Sequence, residues 1–432
     1  MLIHSRKQKQ KHNVLLILTD QQRYNAVGYV DPVVITPNID ALSRTSVVCT
    51  QTVVQSPQCQ PSRASILTGR YPTALKMWWN EMSLDPLEKT IGNILRNNGY
   101  HTGYFGKMHV DGIGGSTKIA DHFGFSDVFL FEDWQRTVSD VCVKKEFYHA
   151  MSNVPRGEHG PWVGSFSSRK LHHEDVITDK AIKFLDKHHN TPFFCVVGFN
   201  GPHPPYASPP PYNTMYDPES LSAPEILSHT PFGFQTTSKY WRDLKSQYYG
   251  CISWIDDNIG RILDHVCDDT IVIFTSDHGD ILGDHGYFSK GVYAHEGNIR
   301  VPLLMRFPDK DHARYGHIVQ SIDILPTVLQ HLGIHAPLGI QGNSLYDALW
   351  SNKLVNEWAF SCIGYGQRLR MIRTPEFKYW WCDQDFLFDL RGDPSESENI
   401  ASTHKDILSQ MRALMIKVLI QAEDCLPHPR HV

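Results

Sequence analysis

Four short, largely apolar runs at residues 14–18, 100–105, 193–199 and 270–275 constrain the fold of this chain more than any other feature. Each is too short for a typical helix, and each runs into a polar cluster. Apolar character that is continuous rather than alternating marks strands buried on both faces of a sheet. Helical patterns lie between the runs: 37–45 after a capping Thr36, 88–98 closed by Gly99, then 174–188 and 239–266. Strand and helix therefore alternate, which predicts an α/β fold around a mostly parallel sheet. In such sheets ligands bind beyond the carboxyl ends of the strands. The four polar clusters should converge there.

The character of the chain changes near Glu357. Residues 357–364, 368–374, 377–382 and 386–389 read as short strands separated by turns, and 405–423 as a helix. The expected division is a catalytic α/β domain over 13–355 and a small α+β subdomain over 356–432, in which one helix covers an antiparallel sheet. A length of 432 residues accommodates two or three units at roughly 150 residues each. Residues 126–172 show no clear periodicity and read as a long excursion over the site, offering Trp134, Arg136, His159, Trp162 and Arg169 as substrate contacts. The Pro-, Ser- and Tyr-rich stretch 202–235 reads as an ordered loop.

One cysteine stands in an unusual setting, in the run Ser56-Pro57-Gln58-Cys59-Gln60-Pro61-Ser62-Arg63 that continues to Gly69-Arg70. Pro61 suits a first helical position, Ala64 to Leu67 form helix readily, and Gly69 suits a left-handed helix end. Cys59 then sits at a helix mouth, where free N–H groups and Arg63 create a positive potential suited to a tetrahedral oxyanion. The first apolar run ends in Thr19-Asp20-Gln21-Gln22 and the fourth in Ser276-Asp277-His278-Gly279-Asp280. An Asp and a neutral donor from one strand end, with an Asp and a His from another, make an oxygen-rich cage for a hard divalent cation. The second run ends in Gly106-Lys107-Met108-His109, and the third in Gly201-Pro202-His203-Pro204. A further lysine, Lys290, follows the fourth run. His109 has a side chain whose ordinary pKa suits a general base.

Taken together these motifs resemble the type I sulfatases of the alkaline phosphatase superfamily, over residues 13 to about 335 and more weakly through Phe386–Asn399. The resemblance implies an alkaline-phosphatase-like fold: a large mixed, mostly parallel sheet sandwiched by helices, followed by a small antiparallel sheet plus helix. It implies that Cys59 is oxidised to formylglycine by a formylglycine-generating or radical maturase enzyme that reads Cys59, Pro61 and Arg63. The hydrated aldehyde would offer one hydroxyl to attack sulfur and a second to expel sulfate. By the same resemblance Asp20, Gln21, Asp277 and His278 hold the cation, Arg63 and Lys107 hold the sulfate, and His109 is the base. His203 and Lys290 contact the ester oxygen, and one of them protonates the leaving alcohol. Two positions depart from the commoner pattern, since many members carry Asp where Gln21 stands and Asn where His278 stands. The pairs present here resemble the phosphonate monoester hydrolase and choline sulfatase branches, and some bacterial carbohydrate sulfatases. Ca²⁺ is the expected ion, with Mg²⁺, Mn²⁺ and Zn²⁺ as alternatives. The expected substrate is a small sulfated molecule; a phosphonate monoester or phosphodiester is the alternative, and a non-catalytic anion- or glycan-binding homologue the remoter one.

A net charge of −5 provides no basic field for nucleic acid, so none is expected as a partner. The apolar run after residues 1–12 is shorter than the roughly 7 to 15 residues of a secretory core, and no stretch reaches the roughly 20 of a membrane span. The nine irregularly spaced cysteines read as reduced thiols. The expectation is a cytoplasmic protein without a membrane partner. His285, His295 and Glu296 could line the pocket or brace its loop, and Trp78, Trp79 and Asn80 could stack on a sugar or belong to the core.

Overall fold

The computed structural model describes residues 11–112, 117–138, 141–150, 162–227, 235–308, 310–364 and 368–422. Fourteen strands follow in chain order: β1 Asn13–Asp20, β2 Val47–Val53, β3 His101–Gly106, β4 Asp127–Leu130, β5 Val163–Ser165, β6 Phe193–Pro202, β7 Tyr206–Ser208, β8 Thr270–Ser276, β9 Leu303–Arg306, β10 Ala313–Gln320, β11 Ala359–Ile363, β12 Leu369–Arg373, β13 Phe377–Trp381 and β14 Asp385–Asp389. Eight of them form one sheet in the order β10-β2-β9-β8-β1-β6-β3-β4. The four strands read from the apolar runs are β1, β3, β6 and β8, and they lie side by side at its centre. Every pairing in the sheet is parallel except the two made by β9.

Alternate residues of β1 explain the continuous apolar run. Val14, Leu16 and Leu18 enter one core, while Leu15 and Ile17 enter the other on the opposite face. The first core is closed by the helices Cys59–Thr68, Ile91–Asn97 and Ile324–Leu332, and the second by His173–His188 and Ser238–Leu263. A central strand buried on both sides can carry no polar residue until it leaves the sheet, which is why the polar clusters begin where the strands stop.

The second sheet, β11-β12-β13-β14, is antiparallel throughout. Leu408, Met411, Met415 and Val418 of the helix Lys405–Gln421 cover one face, a spacing that keeps them on a single helical stripe. Its other face, including Met371, Trp380 and Phe388, packs on Val53, Ile299 and Ile318 of the large sheet's side of the molecule.

The excursion expected over 126–172 is instead partly regular, with helices Phe131–Thr137 and Val141–Ala150 and the short β5, which pairs with β7. Trp134 is fully buried there, its indole N–H donating to the Leu171 carbonyl at 2.8 Å among Phe131, Phe147 and His173. It is a core residue rather than a substrate contact. Arg136 pairs with Asp133 on the surface, Arg169 holds Asp257 at 2.8 Å, and Trp162 packs on Phe288. His159 lies outside the described residues. No described helix is long and apolar enough to cross a membrane.

Candidate active site

Strand register assembles the site. Leu18 of β1 pairs with Gly198 of β6 and Thr275 of β8, and Gly198 pairs with Gly106 of β3. Asp20, Asp277 and Lys107 therefore leave the sheet at one edge within a residue or two of the same level. The helix Cys59–Thr68 starts at that edge after β2, ends at Gly69 in the left-handed conformation, and is buried along its whole length. Pro61 is its third residue rather than its first. That position still lies in the first turn, where no intrahelical N–H is required.

Cys59 Sγ occupies the centre, with Lys290 Nζ at 2.8 Å, His278 Nε2 at 3.3 Å, Asp20 Oδ1 at 3.8 Å and Lys107 Nζ at 4.0 Å. In a formylglycine this sulfur would be replaced by hydrate oxygen. Burial and Asp20 push the thiol up, but Lys107, Lys290 and His278 outweigh them and hold it well below the ordinary cysteine range. Residue 59 thus sits where a negative charge is favoured.

Asp20 and Asp277 are fully buried. Lys107 Nζ approaches Asp20 Oδ2 to 2.6 Å, and Arg63 bridges the two carboxylates at 3.2 Å and 2.7 Å while also donating to the Lys107 carbonyl. Burial would push the Asp20 carboxyl up; Lys107, His203 and Arg63 hold it well below the usual range. Asp277 goes the other way, raised by burial and by Asp20 against the pull of Arg63.

The resemblance places Arg63 on the substrate, whereas here its guanidinium is turned to the carboxylates. Its guanidinium is fully buried and engaged with Asp20, Asp277 and a backbone carbonyl, so it braces the carboxylates from behind. His278 Nδ1 lies 2.9 Å from the Gly279 carbonyl, which assigns its proton to Nδ1 and leaves the Nε2 lone pair facing residue 59. Asp20, Cys59, Asp277 and His278 bring one donor atom each within 4.8 Å of one another. Gln21, the further ligand that the resemblance implies, has an Oε1 that is buried and without a hydrogen-bond partner among the described residues. Two carboxylates, an amide oxygen and an imidazole are donors that suit a divalent cation, and a buried amide oxygen without a hydrogen-bond partner keeps its lone pairs available.

His203 donates Nδ1–H to the Pro204 carbonyl at 2.8 Å. Burial, with Lys107 and Lys290 adding to it, pushes its imidazole down to about 3, so it is neutral near Cys59 although part of its surface stays open to the site. His109 has a positive φ of 50° and a buried, unpartnered Nδ1, and no contact among the described residues joins it to Cys59. Asn80 accepts the Gln60 N–H at 3.1 Å, and Trp78 takes the Gly364 N–H on its carbonyl at 3.0 Å. These residues brace the nucleophile helix and the second sheet. His285 stacks on His295 at 3.7 Å, and His295 lies 3.4 Å from Glu396, which also pairs with Lys378. This group ties the loop after β8 to the second sheet. Sequence reasoning does not single out Asp280, Tyr206 and Ser289, which surround the Gln21 amide; the signal for Asp280 is its place at the close of the same Asp-His-Gly-Asp run that supplies two candidate ligands.

Comparison with known proteins bears on the family and the fold. Residues 12–334 match the sulfatase family model, and 283–421 match the model of the C-terminal part of N-sulphoglucosamine sulphohydrolase. An ulvan-active sulfatase of Formosa agariphila is 32% identical over 417 residues, covering 90% of this chain and 77% of that one. An arylsulfatase of Clostridium perfringens is 29% identical over 472 residues, covering 96% and 95%. Among solved structures, a phosphonate monoester hydrolase of Silicibacter pomeroyi superposes with a TM-score of 0.82 at 24% identity over 96% of each chain, which establishes the shared fold. By sequence match and architecture the chain belongs to the sulfatase family, as a sulfuric ester hydrolase with the alkaline-phosphatase-like fold.

Proposed function

We propose that this sulfatase cleaves the sulfate monoester of a small sulfated carbohydrate, with formylglycine at position 59 and a divalent cation, Ca²⁺ in the first instance, on Asp20, Gln21, Asp277 and His278. The observation that carries the reading is the position of residue 59, within 4.0 Å of two lysines, a metal-type imidazole and a buried carboxylate. The cation, when bound, supplies positive charge to sulfate oxygens and orients them. A hydrated aldehyde at 59 supplies a hydroxyl nucleophile, together with a second hydroxyl whose deprotonation releases sulfate.

The remaining work falls to side chains. Lys107 and Lys290 flank residue 59 and stabilise the charge that builds on sulfate oxygens. Lys290 and His203 flank the side where the ester oxygen of the alcohol would lie; Lys290 delivers its proton, since the one ring proton of the neutral His203 is held by the Pro204 carbonyl. His109 is the base that the resemblance implies for the proton of the second hydroxyl. Cys59 and Arg63 are 1% and 0% exposed, so a maturase would have to read them before the chain folds. The carbohydrate assignment is supported by the match to N-sulphoglucosamine sulphohydrolase and by the ulvan-active relative. Cytoplasmic residence is supported by the free thiols of Cys49, Cys195, Cys251, Cys267 and Cys382.

The test is to produce the protein with a maturase, weigh the peptide containing Cys59, and compare kcat/KM on a matched aryl sulfate and aryl phosphodiester. A peptide lighter than the cysteine form with a rate favouring the sulfate is expected. An unmodified thiol that still turns over sulfate would sink the formylglycine mechanism. A phosphodiester preference would move the assignment to the phosphonate and phosphodiester hydrolases, whose Asp-Gln and Asp-His pairs this site shares.

A further inference from the structure

The backbone of Gln21 is pinned on both sides. Its φ is +69°, its N–H donates to Asp277 Oδ1 at 3.0 Å, and its carbonyl accepts the Tyr248 hydroxyl at 2.8 Å. Among non-glycine residues such a conformation persists only where the surroundings impose it. The remaining freedom is a half-turn of the side-chain amide, which exchanges an oxygen that can ligate a cation for an NH₂ that cannot.

The surroundings of the amide decide that half-turn. Gln21 Nε2 donates to Asp280 Oδ2 at 2.7 Å and to Ser289 Oγ at 2.8 Å, with the Tyr206 hydroxyl a longer third neighbour at 3.3 Å, so its two hydrogens are taken up on this side. Asp280 is fully buried and is not among the side chains that converge on Cys59. Its Oδ1 accepts the Leu282 N–H at 2.8 Å, and its Oδ2 also accepts the Tyr206 hydroxyl at 2.7 Å. All these contacts point donors at the carboxylate. A flipped amide would set Gln21 Oε1 against Asp280 Oδ2 and put the NH₂ where the unpartnered oxygen now lies. Oε1 is instead the atom left without a partner.

We infer that Asp280 is a positioning residue that selects, through the Gln21 amide, the rotamer presenting Oε1 to the cation. The inference rests on the cation site proposed above. It also gives a physical reason why a neutral amide can serve where many sulfatases carry a carboxylate: a carboxylate ligates with either oxygen, whereas an amide ligates only when its orientation is enforced. Outer partners of metal ligands typically affect metal affinity about 10- to 100-fold.

Asp280→Asn is the direct perturbation. An asparagine keeps the shape but must aim its NH₂ either at Gln21 and Tyr206 or at the Leu282 N–H, both of which are donors. The first arrangement relaxes by flipping Gln21. The experiment uses full-length protein co-produced with a maturase and stripped with EDTA, and measures Ca²⁺ and Mn²⁺ binding by calorimetry for the parent, D280N, Q21A and the double variant. The expected result is an affinity loss of about 10- to 100-fold for D280N that disappears, to within about twofold, in the Q21A background. An equal loss in both backgrounds would mean that Asp280 acts by charge alone and would overturn the inference. Ser289→Ala removes the amide's other acceptor and supplies the same comparison if D280N does not fold. Absence of binding of either ion by the parent overturns the inference along with its cation site. Because no turnover is read, a protein that binds ion as expected but cleaves no sulfate ester refutes the proposed function and leaves the role of Asp280 standing.

Discussion

Gly106→Ala tests whether strand-end geometry sets the active site. Gly106 closes β3 with φ +102°, and a Cβ built there would lie 2.0 Å from the Gly198 carbonyl oxygen and 3.2 Å from Ile177 Cδ1. That carbonyl accepts the Lys107 N–H at 2.7 Å, so the clash falls on the bond that places Lys107. Relieving it requires a backbone shift of more than about 1 Å, because a carbon and an oxygen in contact need about 3.2 Å or more. Backbone strain contributes about 1–3 kcal/mol and a broken buried hydrogen bond about 1–3 kcal/mol, for a destabilisation of about 2–6 kcal/mol. Misplacing Lys107, whose Nζ holds Asp20 at 2.6 Å, by that distance should lower kcat by about 10²-fold. Urea unfolding and steady-state kinetics on an aryl sulfate measure the two effects. Gly316→Ala is the comparator: it lies in β10, a Cβ added there would meet nothing within 4 Å, and it should change stability by less than about 1 kcal/mol. A G106A protein as stable as G316A, with kcat within about twofold of the parent, would refute the reasoning.

Arg63→Lys replaces the fork that bridges the two buried carboxylates by a single ammonium and should destabilise the metal-stripped protein by about 3 kcal/mol; Ca²⁺ should recover part of the lost Tm, and a variant melting like the parent in EDTA would contradict the bracing role. Glu296→Gln removes the carboxylate shared by Arg300 at 2.9 Å, Arg373 at 3.0 Å and Lys378 at 2.9 Å. It should cost about 3–5 kcal/mol in urea unfolding, whereas Glu376→Gln, which breaks only the exposed pair with Arg391, should cost less than about 1 kcal/mol. His172 is buried against Phe166 at 4.2 Å, and burial, with His173 adding to it against Glu146, pushes it down to about 4. The unfolded chain then takes up a proton near pH 6.5 that the folded chain refuses, so this contribution is full above pH 6.5 and is lost as the pH falls toward 4, by at most about 3 kcal/mol. His172→Phe should flatten that part of the stability profile, and an unchanged acid limb would count against it.

The parts of the fold legible in the sequence are those where burial dictates composition. β1, β3, β6 and β8 are covered on both faces, so they have to be apolar without interruption and can be recognised without partners. β10, with the sequence ARYGHIVQ, lies at the edge of the sheet with Arg314 and Gly316 exposed, and its mixed pattern carries no such signal. β9 is four residues long, below the length at which periodicity is readable. The helix expected at 88–98 begins at Ile91 because Thr90 and Asn93 cap each other, a local hydrogen bond that outweighs the helix-forming Glu88 and Lys89. In the site, Asp20, Lys107, Asp277 and His278 are legible because parallel register carries strand ends to one edge. The direction of the Arg63 guanidinium and the Gln21 amide is not, since each is set by partners brought from distant segments.

The position of Arg63 also bears on how a sulfate group would be held. A guanidinium turning toward substrate would have to leave Asp20 and Asp277, both fully buried, and breaking such a pair typically costs about 3–5 kcal/mol. A sulfate oxygen would recover only part of that, because the carboxylates would stay behind without the guanidinium that bridges them. Lys107 and Lys290 face the opposite choice. Their ammonium groups already lie within 4.0 Å and 2.8 Å of residue 59, and three rotatable donors let each keep its neighbour while donating to a sulfate oxygen. In the proposed reaction, then, the rigid fork lies behind the carboxylates and the adaptable ammonium groups lie in front. Charge that moves between oxygens during S–O cleavage meets the groups that can follow it, while the carboxylates that would anchor the cation stay fixed.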